Sequence, residues 1–140
     1  MKTQTVQRVQ SSFAQVAAIA DTAAALFYDH LFRRDPSLRP LFRGDLQAQG
    51  AKLMQMIAVA VNRLGNPETL VPVLENMGRR HAGYGVVDAH YDTVGAALID
   101  TLAAGLGDAF TPDVRAAWVE VYGFIAATMQ RAAADSALAA

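Results

Sequence analysis

Helical periodicity is the feature of this sequence that most limits its fold. Apolar residues recur every three or four positions, and strict alternation of apolar and polar residues is not sustained anywhere. One stripe consists of Leu46, Gln49, Leu53, Ile57, Ala60 and Leu64, and another of Leu70, Leu74, Met77 and His81. Such spacing places residues on one face of an α-helix. The sequence therefore predicts an all-α protein.

Capping residues, prolines and glycines divide the periodic segments. Asp35-Pro36, Asn66-Pro67 and Thr111-Pro112 each place a capping residue before a proline, which is the pattern that opens a helix. Glycines at positions 65, 83, 85, 105 and 107 mark helix ends. We expect two helices between Val6 and about Asp35 with a bend near Asp21-Thr22, a short helix ending near Phe42, and further helices over about 46–64, 67–83, 88–106 and from 112 onward.

The composition fits one ordered domain. The chain has 140 residues, of which 53% are hydrophobic and 18% charged, a balance typical of a packed fold. No internal repeat or linker divides it, so we expect a single domain over residues 1–140. The alanine-rich tail after about Arg131 is expected to fray.

The same composition argues against several classes of function. The net charge of -1 lacks the basic excess of proteins that bind nucleic acid, and the absence of cysteine excludes thiolate metal sites and disulfides. The polar N-terminus has no secretion signal, and no apolar run is long enough to span a membrane. We expect a cytoplasmic protein.

Three histidines are the candidates for metal chemistry. None has a glutamate three residues before it, and no two stand four residues apart, which argues against di-iron and metalloprotease sites. His30 is expected to face solvent, and His90 to cap or border its helix. His81 continues an apolar stripe, where it is either a core histidine bonded to a backbone carbonyl or a metal ligand. Periodicity leaves both interpretations open.

Several ordered motifs carry a family resemblance. They are Phe27-Tyr28-Asp29-His30-Leu31-Phe32, Pro36-x-x-Arg39-Pro40-Leu41-Phe42, Gln49-Gly50-x-Lys52-Leu53-Met54, Arg80-His81-x-x-Tyr84-Gly85-Val86, His90-Tyr91, Gly105-x-Gly107-Asp108-Ala109-Phe110-Thr111 and Ala117-Trp118-x-x-x-Tyr122. From about Val6 to Met129 the chain strongly resembles bacterial single-domain haemoglobins, which are similar to the globin domain of flavohaemoglobins.

The resemblance implies a globin fold packed around haem b. It makes His81 the proximal ligand of the iron and Phe42 the phenylalanine that packs against the porphyrin. The other residues expected around the haem are Leu53, Met77, Val86 and Tyr91. The resemblance also places Tyr28 and Gln49 in the distal pocket, where a phenol and an amide would donate hydrogen bonds to bound oxygen and slow its release.

One position departs from the family pattern. Flavohaemoglobin-like globins commonly support the proximal histidine with a tyrosine and a glutamate. Tyr91 matches the tyrosine, but the glutamate position falls on Ala133. Gln130 lies three residues earlier and is expected to offer a neutral hydrogen bond instead. We therefore expect weaker peroxidase-like character and a ferrous state that is easier to maintain.

The resemblance supports more than one function. The first is reversible oxygen binding for storage or delivery; the alternative is a nitric oxide dioxygenase, for which 140 residues contain no flavin or nicotinamide module, so that a separate reductase would be needed. A haem-based gas sensor and a haem-free signalling domain rank below these. The expected ligands are dioxygen and nitric oxide, and the chain is a monomer or a homodimer.

Overall fold

Six α-helices and two short 3-10 helices make up the secondary structure of the described chain. We analysed a computed structural model, which describes the backbone of residues 1–139 and the side chains of residues 1–136. The α-helices are α1 Thr3–Ala17, α2 Ala20–Arg34, α3 Leu46–Asn62, α4 Pro67–Gly83, α5 Asp88–Leu106 and α6 Pro112–Ala139. The 3-10 helices are Pro36–Leu41 and Gly107–Ala109. The all-α prediction is confirmed.

The break between the first two helices lies earlier than the sequence suggests. Ile19 interrupts the helical backbone with φ -121° and ψ 41° and stands directly before α2, whereas the expected bend was near Asp21-Thr22. Asp21 instead lies in the first turn of α2, where its negative charge complements the exposed N–H groups of the helix end. The residue therefore favours the start of α2 without capping it.

The alanine-rich tail is part of the last helix. α6 continues as a helix to Ala139, and fraying after about Arg131 stays a prediction. Alanine has the highest helix propensity of all residues, and no glycine or proline follows Gly123 to end the helix.

Two pairs of helices cross at very short distances, α4 with α6 and α2 with α3. A Cβ atom added at Gly78 of α4 would collide with the carbonyl oxygen of Met129 and lie 2.7 Å from its Cα, so the backbones of α4 and α6 are in direct contact. Where α2 crosses α3, a Cβ at Gly50 would lie 2.8 Å from the Cβ of Ala24 and 3.5 Å from Cε2 of Tyr28. Glycine permits both approaches because it has no side chain.

A buried core connects the helices. Leu70 and Leu74 of α4 and Val121 of α6 have no exposed surface, and the indole N–H of Trp118 donates a 2.8 Å hydrogen bond to Ser12 of α1. The members of the two stripes expected over residues 46–64 and 70–81 all belong to the buried clusters or line the cavity described below. None of the helices described has the length and apolar character that crossing a membrane requires.

Candidate functional site

A cavity of about 450 Å³ opens between helices α2 to α6, within the range of about 300–1,000 Å³ typical of small-molecule sites. All eight residues named as site residues from the sequence line it: Tyr28, Phe42, Gln49, Leu53, Met77, His81, Val86 and Tyr91. Most of the remaining lining is aliphatic or aromatic, including Leu31, Leu38, Ile57, Val61, Leu74, Val94, Leu98, Trp118, Val121, Ile125 and Met129. The walls therefore suit a large apolar ligand.

His81 provides the cavity with an imidazole of defined orientation. Its Nδ1 lies 2.7 Å from the carbonyl oxygen of Met77, one turn earlier on α4. A carbonyl can only accept, so Nδ1 carries the proton and donates it. The lone pair is then on Nε2, and this partly buried ring lines the cavity. The two interpretations left open by the sequence are thus compatible, since the carbonyl bond leaves one nitrogen free to bind a metal.

Tyr28 belongs to an aromatic cluster on the α2 side. Its ring centroid lies 5.5 Å from that of Phe27, 6.0 Å from Phe32 and 5.4 Å from Phe42. The side chain is buried, and this burial raises the pKa of the phenol above its ordinary value. The hydroxyl therefore keeps its proton at neutral pH and can act as a hydrogen-bond donor.

Gln49 adopts a different arrangement from the one expected. Its side-chain amide donates to the backbone carbonyl of Arg43, so in this conformation that N–H is not available to a ligand beside Tyr28. The turn before α3 explains the contact. Gly44 has φ +85°, which reverses the chain and presents the Arg43 carbonyl to the first turns of the helix. Gln49 nevertheless lies on the cavity lining.

The expected support of His81 by other side chains is not present. The amide of Gln130 donates instead to the carbonyl of Asp88 at 3.4 Å, so the prediction that it would bond His81 is wrong. Tyr91 lines the cavity, but among the described residues the hydrogen bond of the His81 ring is the one to Met77. The Met77 carbonyl can reach the ring because it lies four residues earlier on the same helix.

Tyr122 is a site residue that sequence reasoning missed. It lines the cavity, and its hydroxyl donates a 2.6 Å hydrogen bond to the backbone carbonyl of Tyr91. Its ring packs onto α5 at Gly95, where an added Cβ would lie 2.6 Å from Cε2. A glycine inside a helix facing a tyrosine was the available signal, but neither residue reveals its partner from spacing alone.

His90 and His30 have different surroundings from His81. Nδ1 of His90 accepts a 3.1 Å hydrogen bond from the N–H of Val87, which confirms that it caps α5. It also lines the edge of the cavity, together with Lys52 and Tyr84, three residues that the sequence analysis had not placed there. His30 is partly buried on α2 and is not part of the lining.

The donor set fits a metal that brings most of its own ligands. Throughout the described chain, no three His, Asp or Glu side chains group together as ligands for a free ion. A single imidazole in an apolar cavity is instead the arrangement by which proteins hold the iron of a haem, whose macrocycle supplies four nitrogens. The residues present therefore fit haem.

Comparisons with known proteins agree with this architecture. The family model named Globin matches residues 25–129. A flavohemoprotein of Rhodopirellula baltica is 31% identical over 125 residues, covering 87% of this chain and 31% of the relative. A flavohemoprotein of Bacillus subtilis is 32% identical over 128 residues, with the same two shares. The chain thus spans about a third of the length of these relatives.

A solved structure covers the whole chain. It is an engineered carbene transferase derived from a Rhodothermus marinus protein described as a nitric oxide dioxygenase, with a TM-score of 0.86 and 30% identity over 100% of this chain and 99% of that one. The family match, the flavohemoprotein relatives and this shared architecture lead to one conclusion: the chain belongs to the globin family.

Proposed function

We propose that the cavity binds haem b, with Nε2 of His81 as the axial ligand, and that the protein binds dioxygen reversibly. The observation that carries the proposal is the state of His81. Its Nδ1 is bonded to the Met77 carbonyl at 2.7 Å, so the other nitrogen is left as a ligand on the wall of an apolar cavity of about 450 Å³.

The walls define how the prosthetic group would be held. Phe42, Leu53, Met77 and Val86 supply apolar contact surface, and Tyr91 adds an aromatic ring from α5. Burial of a large apolar ring system against such side chains is favourable by about 25 cal/mol per Å² of apolar area removed from water. Lys52 and Tyr84 are exposed members of the lining, beside which polar substituents can remain hydrated.

Haem, when bound, supplies an iron that takes diatomic gases. The chain's part is to position a proton donor and to exclude water. Tyr28 keeps its phenolic proton because burial raises its pKa, and its ring is fixed by three aromatic neighbours. We assign Tyr28 as the main hydrogen-bond donor to the ligand. One N–H of the Gln49 amide is bonded to the carbonyl of Arg43, so we assign Gln49 the secondary role.

On the α4 side, the hydrogen-bond partner of His81 is an uncharged group, the carbonyl of Met77. A backbone carbonyl draws the Nδ1 proton less strongly than a carboxylate, and Ala133 stands where related globins commonly have a glutamate. We therefore expect less electron donation from His81, weaker peroxidase-like activity and a ferrous state that is easier to maintain.

A second candidate is dioxygenation of nitric oxide to nitrate. It is favoured by the R. marinus neighbour, which shares the architecture over the whole chain. Turnover would require a reductase, because each reaction would leave the iron oxidised by one electron that must be returned.

The deciding experiment mixes the oxygenated protein rapidly with nitric oxide. Fast stoichiometric nitrate formation that stops after one equivalent, even with a supplied flavin reductase and its nicotinamide donor, supports oxygen binding as the function. Sustained nitrate production with that reductase assigns the dioxygenase. A protein that takes up no haemin and binds no oxygen would contradict both.

A further inference from the structure

Three exposed apolar side chains belong to the cavity lining or to the segment that follows α4. Leu41 is 40% exposed, Tyr84 68% and Val87 56%. Leu41 and Tyr84 belong to the cavity lining. A Cβ at Gly85 would lie 3.8 Å from Cδ2 of Leu41, so the segment after α4 and the segment before α3 are neighbours in space. We call the surface formed by Leu41, Tyr84 and Val87 the mouth face. Clustered exposed apolar groups beside a pocket are typical of a binding surface.

Basic side chains flank the mouth face. Lys52 lines the cavity edge, and Arg80 precedes Tyr84 by one helical turn, with the N–H of Tyr84 bonded to the Arg80 carbonyl at 3.1 Å. The guanidinium of Arg39 donates a 2.8 Å hydrogen bond to the carbonyl of Phe42. Arg43 follows Phe42 and is exposed.

These positive charges are available to a partner. The ion pairs found among the described residues involve Arg8, Arg33 and Arg34, and none involves a basic residue that flanks the mouth face. Two acidic residues lie in the same segments: Asp45, whose carboxylate accepts from the N–H of Gln47, and Asp88 in the first turn of α5. Four basic residues against these two leave the surface positive in a chain whose net charge is -1.

The mouth face also lies close to His81, the proposed iron ligand. The rings of Tyr84 and His81 have centroids 6.2 Å apart, although Tyr84 is largely exposed. A protein seated on Tyr84 is therefore within one side chain of His81. Electron transfer between proteins needs such proximity, and it is commonly served by small, charge-steered contacts.

From this placement we infer that the mouth face docks an acidic electron-donor protein, of the reduced flavin or iron–sulfur class. The inference rests on the proposed function: the donor loses one electron and a ferric iron in the cavity gains it, with no other atom transferred. Apolar contacts at Leu41, Tyr84 and Val87 seat the partner, while Arg39, Arg43, Lys52 and Arg80 steer it. Rim charges act chiefly on the association rate and its salt dependence.

The test measures binding of an acidic [2Fe–2S] ferredoxin, used as the probe, to the haemin-loaded protein over a range of ionic strength. The charge-reversal pair Arg43→Glu with Arg80→Glu alters the mouth face without changing a cavity-lining side chain. The matched control pair is Arg63→Glu with Arg115→Glu, which reverses two exposed charges at the end of α3 and the start of α6. Arg43→Ala with Arg80→Ala provides a milder version.

We expect the mouth-face reversal to slow association about tenfold at low salt and to flatten its salt dependence, with a smaller effect for the alanine pair. The control pair should change neither. Equal effects of both reversal pairs, or salt-independent association of the original protein, would overturn the inference. So would self-association that the mouth-face pair abolishes, because the surface would then belong to a second copy. Haemin uptake and reduction by dithionite, measured in parallel, report failure of the proposed function separately.

Discussion

The two walls of the cavity use the same kind of apolar lining but hold their polar groups in different ways. On the α4 side, His81 is fixed by a hydrogen bond within its own helix, and that helix lies in backbone contact with α6 at Gly78. On the α2 and α3 side, Tyr28 is fixed by aromatic packing and by the crossing at Gly50, with no hydrogen bond from its hydroxyl among the described residues. The first wall fixes the imidazole that we propose as the iron ligand, and the second holds the phenol that we propose as the hydrogen-bond donor.

The largest effect is expected where two backbones touch. Gly78→Ala places a methyl group against the carbonyl of Met129, where no side chain can move aside. We expect a loss of about 3 kcal/mol in the free energy of unfolding, at the upper end of overpacking effects. Urea denaturation of the protein measures it.

Gly83→Ala on the same helix is the matched control, because a Cβ there meets nothing within 4 Å. It should be neutral or stabilise the protein by up to about 1 kcal/mol through helix propensity. If both variants lose the same stability, the α4–α6 contact is not as close as described.

The next largest effect concerns Tyr28, the proposed hydrogen-bond donor. Loss of its hydroxyl should change the rate of ligand release and not the free energy of unfolding. Tyr28→Phe removes the hydroxyl while keeping the ring and its aromatic contacts. A hydrogen bond to a charged acceptor contributes about 1.5–3 kcal/mol, so oxygen dissociation should accelerate about 10- to 100-fold. Stopped-flow displacement of oxygen by carbon monoxide measures the rate. An unchanged rate would show that Tyr28 is only a packing residue.

The α2–α3 crossing permits a compensating pair. Gly50→Ala alone brings two methyl groups into collision at Ala24 and should lower the free energy of unfolding by about 1–2 kcal/mol. Ala24→Gly in the same chain removes the opposing methyl and should recover more of the loss than two independent changes would. Urea denaturation of the four proteins in the cycle gives the coupling. Additive effects would contradict the close crossing.

The smallest effect concerns the outer side of α2. Arg34 donates two hydrogen bonds to Asp100 of α5, at 2.6 and 3.0 Å, and this contact lowers the pKa of the Asp100 carboxyl. Because the pKa of Asp100 is lower in the folded protein than in the unfolded chain, the Arg34–Asp100 contact stabilises the fold at pH values above the unfolded pKa. This stabilisation is lost as the pH falls through the folded pKa. Asp100→Asn should therefore cost a little stability at pH 7 and none near pH 2. A deficit that persists at acidic pH would assign it to packing.

The helices were predicted from local periodicity, whereas the residues of the cavity lining were predicted from the family resemblance. His81 lies on the buried stripe that its spacing indicated, and the capping residues before Pro36, Pro67 and Pro112 mark the observed helix starts. The resemblance added the roles, which periodicity cannot supply for a single histidine.

Contacts that a side chain makes outside its own helix could not be predicted from periodicity. Gln49 bonds the carbonyl of Arg43 because the Gly44 turn brings it there, and Gln130 reaches Asp88 of another helix. Neither depends on spacing within one helix. The same holds for Gly78, whose importance becomes visible only when Met129 lies against it.

The assignment on which the haem proposal depends is that of Nε2 of His81 as the iron ligand. It is tested most directly by titrating haemin into the apoprotein and into His81→Ala, with and without added imidazole, and recording the absorption spectra. We predict an imidazole-ligated spectrum for the original protein, its loss in His81→Ala, and its recovery with free imidazole, which fits the space that the side chain leaves. The same spectrum and affinity in His81→Ala without imidazole would contradict it.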